Sequence, residues 1–320
     1  MMDWTDRHCR YFLRGFSPRV LLYTEMVTAA AIMHGDTERL LGYSSEEQPL
    51  ALQLGGSDPT MLAAAARMGA QRGFVEINLN CGCPSDRVHA GAFGACLMLE
   101  PQRVAECVAA MRAAVSIPVT VKMRIGVLGE RNARARLAHF DEGDYEALRR
   151  FAEAVAGAGC CHLIVHARQA LLGGLSPREN REVPPLRVSV VQRLKQDLPQ
   201  LWVGLNGGLR TVQQCREALT WVDGVMLGRE AYHRPQVLSE LHAQLYGDAC
   251  AMPPIGALLE RMGRYAEREV AAGTPLSAIT RHMLGLLAGR AGARRYRQLL
   301  SQPRLPPGPL MQEAAVLCEA

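Results

Sequence analysis

Lysine is almost missing from this chain. Of 36 basic residues in 320 positions only two are lysines, Lys122 and Lys195; the other 34 are arginines. Such a bias follows genome composition and carries no function, but it marks each surviving lysine for scrutiny. Long apolar runs are missing too. Although 48% of the residues are apolar, no run of about 18 or more suggests a membrane span, and no charged-then-apolar leader opens the chain. The ten cysteines, at 9, 81, 83, 96, 107, 160, 161, 215, 250 and 318, show no paired CxxC spacing of the kind that holds zinc. They read as free thiols of a cytoplasmic protein, with no metal expected. Finally, Asp and Glu are absent from Val270 to Gln312, where six arginines stand (281, 290, 294, 295, 297 and 304). The whole +5 excess therefore sits near the C-terminus. A compact positive patch on an otherwise balanced chain points to a polyanion such as nucleic acid.

What is present is a β-then-α alternation as far as residue 245. Strand candidates are Val20–Tyr23, Leu50–Leu54, Phe74–Leu79, Val119–Met123, His162–Val165, Leu201–Leu205 and Gly224–Leu227. Helical patterns lie between them, among them Pro59–Gln71, Pro101–Val115, Tyr145–Ala158, Ser189–Asp197 and Val212–Leu219. Strands that are nearly continuous in apolar residues belong to a parallel sheet covered on both faces. The class is α/β. Seven strands fit an open sheet or a (β/α)8 TIM barrel that needs one more. Because the helical pattern Thr5–Arg14 follows the start at once, the expectation is that the given N-terminus falls just after a first strand. Residues 246–252 and Pro253-Pro254 read as a linker, followed by the helical patterns Ile255–Ala271, Leu276–Ala288 and Ala293–Leu300 and a short final helix. The domains expected are 1–245 (barrel), 253–304 (helical) and a 305–320 tail. The stretch 126–143 reads as a long polar insertion.

In such barrels the active site lies at the C-terminal strand ends. Those ends carry Gln53, then Asn78, Asn80 and the cysteines of "EINLNCGCP", then Lys122 and Arg124, then His166 and Arg168. The next two end in Asn206-Gly207-Gly208 and Gly228-Arg229, which suit a phosphate cradle of backbone N–H groups and a guanidinium. Ordinary tight turns would look the same. A lysine inside "IPVTVKMRIG" calls for an anionic partner, such as the N1–C2=O edge of a reduced flavin; the alternative is a solvent-facing strand end with a buried stem. His166 alone reads equally well as a satisfied core residue.

Together "MMDWTDRHCRYF", "NxGCPSDRV", "GACLM", "VTVKMRIG", "VHARQALLGGLSPRENREVPPL", "NGG", "DGVMLGREAY" and "ITRHMLGL" resemble the tRNA-dihydrouridine synthases of the A-type subfamily, from Met1 to about Leu300. The resemblance implies a monomeric, FMN-bearing TIM barrel with a helical domain. It would use NADPH to reduce uridine in the tRNA D-loop, at positions 20 and 20a. It places Met1, Met2, Gln53, Lys122, His166, Asn206, Gly207, Gly208, Gly228 and Arg229 at FMN. Cys83 becomes the proton donor, and Asn80, Arg178, Arg181, Arg294 and Arg297 contacts to tRNA. Cys81 falls where the motif is free and reads as a bystander.

The chemistry agrees. The C5=C6 bond of uracil is conjugated with the C4 carbonyl, so hydride addition at C6 leaves enolate character to be protonated at C5. One ordinary thiol suffices for that. The base must leave the RNA stack to reach a barrel mouth, and arginines gripping phosphates would hold the RNA meanwhile. Arg290, Arg294 and Arg297 would share one helix face, and Tyr296 reads as packed rather than stacked on a base. Two rivals are an FMN-dependent oxidoreductase of a free pyrimidine and a catalytically inactive RNA-binding protein. The acid-free arginine stretch speaks against the first, and the intact Cys83, Lys122 and His166 against the second.

Overall fold

A computed structural model describes residues 1–85, 93–129, 136–247 and 254–319. These pack as two compact units. One comprises Met26–Gly42 and Leu50–Leu227; the other comprises Met1–Glu25, Tyr43–Pro49 and Gly228–Ala320.

The strands are β1 (Leu22–Thr28), β2 (Leu50–Gly55), β3 (Glu76–Cys81), β4 (Val119–Arg124), β5 (Val127–Leu128), β6 (His162–His166), β7 (Ala170–Leu171), β8 (Trp202–Asn206) and β9 (Gly224–Met226). Seven of them form one sheet in the order β1-β2-β3-β4-β6-β8-β9, and the registers from β2 to β9 are all parallel. With helices between successive strands, this is TIM-barrel architecture, and an all-helical segment follows it in the chain. All seven strand candidates are present. The first runs on to Thr28, because Thr24 and Glu25 interrupt its apolar signal without ending its extended backbone.

Local chemistry sets the helix starts. Asp58 caps the helix Pro59–Gln71, accepting from the Met61 N–H, with Pro59 in the first turn. Asp141 and Asp144 cap each other's backbone at the start of Glu142–Gly157, and Thr211 with Gln214 does the same for Val212–Ala218. Alternation along the strands then divides inside from outside. A Cβ on Gly69 of the first of these helices would lie 2.6 Å from Leu52 and 3.0 Å from Ile77, so these residues face the helices. On the opposite side, Trp202 occupies space left by two glycines: added Cβ atoms would meet its ring at 2.9 Å from Gly204 and 2.3 Å from Gly224.

The 126–143 stretch is more than a polar loop. Within it β5 pairs in parallel with β7, and Leu128 and Leu137 share a small buried cluster with Leu171 and Leu175. Arg136 pairs with Asp144 at 3.2 Å; Arg131 and Arg134 lie outside the described residues, as does most of the linker.

The second unit contains the helices Arg7–Arg14, Val237–Tyr246, Ile255–Ala271, Ala293–Ser301 and Pro307–Glu319. The single helix expected over Leu276–Ala288 is broken. It stops at Thr280, and a 3-10 turn follows at Arg281–Met283. A Cβ on Gly285 would sit 2.4 Å from the His233 carbonyl oxygen, and Gly289 and Gly292 adopt φ of 78° and 74°, which ends helical geometry. Arg290 thus precedes the next helix and does not share a face with Arg294 and Arg297, which ride on it. Tyr296 of that helix is 0% exposed and belongs to the core.

A buried ion pair anchors the first helix of this unit. Arg10 Nε donates to Glu47 at 2.6 Å, with both residues buried. Arg14 donates to the carbonyls of Ser17, Glu47 and Pro49 at 2.7, 2.9 and 2.9 Å. Burial raises the Glu47 pKa, and Arg10 opposes the shift. Removing one partner leaves a desolvated charge, so Arg10→Met is expected to cost about 3–5 kcal/mol of stability. A urea melt checks it: the midpoint should fall with the slope unchanged.

Candidate active site

Polar residues two apart in β3 and β4 point to the side away from the helices. There they form one chain of hydrogen bonds. Asn80 Nδ2 donates to Gln53 Oε1 at 2.8 Å, and Gln53 Nε2 to Asn78 Oδ1 at 2.9 Å. Asn78 Nδ2 continues to Thr120 Oγ1 at 2.8 Å, and Thr120 ends on the Glu76 carboxylate at 2.7 Å. Each side-chain donor atom in the series has at least one acceptor, as burial demands. Gln53 and Asn80, both read from the sequence as ligand contacts, are thus held at fixed orientations by each other.

Asn80 does more. Its Oδ1 accepts the N–H groups of Gly82 and Cys83 at 3.0 and 2.9 Å, closing the turn after β3. That turn separates the two cysteines. Cys83 is half-buried, and its thiol donates to Ser85 Oγ at 3.7 Å. Cys81, the last residue of β3, is 0% exposed, and burial pushes its thiol pKa well up.

Asn80 is in register with Lys122. Burial, helped by the charge of Arg124, pushes the Lys122 ammonium down to about 8, and only Cys83 opposes the shift. No carboxylate pairs with Lys122 among the described residues. A lone, desolvated cation facing a thiol is poised for an anionic ligand. Register also places Arg124 opposite His166, and His166 opposite Asn206, so Lys122, His166 and Asn206 share one end of the sheet. Asn206 Nδ2 donates to the Met226 carbonyl at 2.8 Å. Beyond it Gly207 and Gly208 adopt φ of 102° and 78°, and a Cβ on Gly207 would lie 2.6 Å from the His166 ring. Two glycines are needed here for both the turn and the ring beside it.

The remaining sequence-derived candidates lie elsewhere. Arg178 is 81% exposed at its side chain and sits 3.8 Å from Glu182. Arg181 is half-buried on the same 3-10 turn. In the second unit, Gly228 precedes the short helix Arg229–His233, and a Cβ on it would be 3.4 Å from the Met1 sulfur. The Met1 ammonium donates to Thr5 Oγ1 at 2.6 Å, while Met2 is 55% exposed. Arg294 and Arg297 are exposed on Ala293–Ser301, whose other side buries Tyr296 and Leu300.

Sequence reasoning missed the supporting polar residues Glu76, Thr120 and Asn180 and the role of Arg124. The available signal was the spacing Glu76-Asn78-Asn80 and Thr120-Lys122-Arg124, polar side chains two apart in otherwise apolar strands. Arg124, 3% exposed, donates to the carbonyls of Gly82, Gln169 and Asn180 at 2.9, 3.1 and 2.8 Å. Among the described residues no three His, Cys, Asp or Glu side chains converge as metal ligands, and no helix is long and apolar enough to cross a membrane.

A parallel barrel whose C-terminal strand ends present a thiol, a desolvated ammonium, an imidazole and a diglycine turn has the layout of a TIM-barrel oxidoreductase for an anionic cofactor. Comparison with known sequences narrows the class. The description "Dihydrouridine synthase (Dus)" matches residues 1–317, and the chain belongs to that family, whose members are flavin-dependent oxidoreductases acting on a uridine C=C bond. The chain is 54% identical over 301 residues to a tRNA-dihydrouridine(20/20a) synthase of Pseudomonas syringae pv. tomato, covering 94% of this chain and 86% of that protein. It is 52% identical over 303 residues to the protein of the same name from Escherichia coli K12, covering 94% and 84%.

Proposed function

We propose that the chain acts as a tRNA-dihydrouridine(20/20a) synthase, reducing the C5=C6 bond of D-loop uridines with bound FMN and NADPH as electron donor. The half-buried Cys83 thiol, at the same strand ends as an ammonium that lacks a carboxylate partner among the described residues, carries the reading. Lys122, His166, Gln53 and the Asn206–Gly208 turn would hold FMN, with Gly228, Arg229, Met1 and Met2 as further contacts. Lys122 suits the anionic edge of a reduced flavin, since an anion beside it would restore the charge that burial disfavours. Bound FMN would supply hydride to uracil C6.

The chain's own residues do the rest. The Cys83 thiol delivers a proton to C5, completing 5,6-dihydrouridine, and the resulting thiolate regains its proton from solvent. Asn80 keeps one Nδ2 hydrogen outside its contacts to Gln53 and the turn, available to a uracil carbonyl. Exposed Arg178, with Arg181, Arg294 and Arg297, would meet RNA phosphates. The acid-free stretch that contains Arg294 and Arg297 favours tRNA over a free pyrimidine, because a small neutral base needs no cationic surface. The compartment that fits a tRNA-modifying chain is the cytoplasm.

The two cysteines test the chemistry. Cys83→Ala is expected to keep its flavin absorbance and lose turnover on tRNA by at least about 10²-fold, whereas Cys81→Ala turns over normally; exchanged phenotypes would refute the assignment. For the RNA surface, the charge reversal Arg294→Glu with Arg297→Glu should weaken tRNA binding about tenfold or more at low salt and leave the flavin content alone. Unchanged affinity in a titration would remove these arginines from the interface.

A further inference from the structure

Arg124 has no part in the chemistry above, yet its placement is costly. A guanidinium that is 3% exposed and has no carboxylate partner among the described residues is disfavoured by burial, which pushes its pKa down to about 10. Its hydrogen bonds to protein go to backbone: Nε to Gly82 O at 2.9 Å, and Nη1 to Gln169 O at 3.1 Å and Asn180 O at 2.8 Å.

The first of these contacts is specific in its consequence. The Gly82 carbonyl and the Cys83 N–H are the two ends of one planar peptide. Asn80 Oδ1 accepts from the N–H at 2.9 Å, and Arg124 donates to the carbonyl. Both ends of that plane are therefore held, and the Cys83 carbonyl accepts from the Ala95 N–H at 2.9 Å; with the peptides on both sides of Cys83 held, the direction in which its side chain leaves the backbone is set. The other two contacts reach the segment after β6. Asn180 is 0% exposed; its side chain accepts from Leu171 N at 2.8 Å and donates to the carbonyls of Leu171 and Leu175 at 3.1 and 3.2 Å. It fixes the turn that carries Arg178 and Arg181. One guanidinium thus ties the thiol turn to the arginine turn. A lysine could satisfy one of these carbonyls but lacks the fork that serves all three.

We propose that Arg124 is a positioning residue, setting the Cys83 thiol for proton delivery and coupling its turn to the segment that bears Arg178 and Arg181. The proposal rests on Cys83 being the proton donor. The test compares Arg124→Ala, Arg124→Lys and Cys83→Ala, as flavin-loaded protein with unmodified tRNA, by flavin absorbance, kcat and KM. With the thiol misplaced but the cofactor and RNA contacts intact, kcat in both Arg124 variants should fall by about 10²-fold while KM stays within about threefold. Guanidinium ion, well below unfolding concentrations, should restore kcat in Arg124→Ala and not in Cys83→Ala, and urea should restore neither. A loss of packing alone would not show that pattern. If Arg124→Ala does not fold, Arg124→Lys carries the kcat and KM comparison. Wild-type kcat in a folded Arg124 variant, with Cys83→Ala inactive, overturns the positioning role and leaves the proton donor standing. Full activity of Cys83→Ala overturns the donor assignment, and the role of Arg124 with it.

Discussion

A polar side chain inside a barrel must find a partner for each donor and acceptor it carries. That constraint organises the described site. Asn80, Gln53, Asn78, Thr120 and Glu76 meet it as a directed series across three strands, and Asn80 extends it to the turn that presents Cys83. The Cys83 thiol is therefore attached to the rigid part of the fold, where a catalytic group would be held most closely to its working geometry. Lys122 breaks the rule on the same face: its ammonium is desolvated without a carboxylate partner among the described residues. A violation of this kind within an otherwise satisfied network marks the position kept for a ligand.

Much of this was legible in the sequence. The seven strands came from short apolar runs, and five of the barrel helices from patterns with clear starts such as Asp58-Pro59 and Asp141. The separation of Cys81 from Cys83 was legible as well, and burial gives it a physical basis: Cys81 closes β3 in the core, while Cys83 sits beyond the turn. Other features were hidden. The helix expected from Leu276 to Ala288 stops at Thr280 and does not resume through Gly285, where a carbonyl of His233 passes where a side chain would stand; periodicity does not register a neighbour distant in sequence. For the same reason Arg290 leaves the helix face assigned to it, and the 126–143 stretch gains a strand pairing and an apolar cluster that its polar composition concealed.

Arg124 shows the difference most sharply. In sequence it is one more arginine in a chain that uses arginine almost exclusively, two residues from a lysine that draws the attention. Only the three carbonyls around it, from Gly82, Gln169 and Asn180, distinguish it from a surface charge. Conversely, Arg294 and Arg297 stand out through the lack of acidic residues around them in sequence, a feature that composition reveals directly. A cationic stretch without acids was thus easier to read than a residue that acts on the chain's own backbone.

The central claim is that a thiol and an anion-seeking lysine on one barrel face serve the reduction of uridine in tRNA. The most direct measurement incubates the purified, flavin-containing protein with NADPH and unmodified tRNA and maps dihydrouridine along the RNA, with free uridine as a parallel substrate. The account predicts dihydrouridine at positions 20 and 20a, the positions in the relatives' names, and no reduction of free uridine. Reduction of the free nucleoside with the tRNA left unmodified would contradict it.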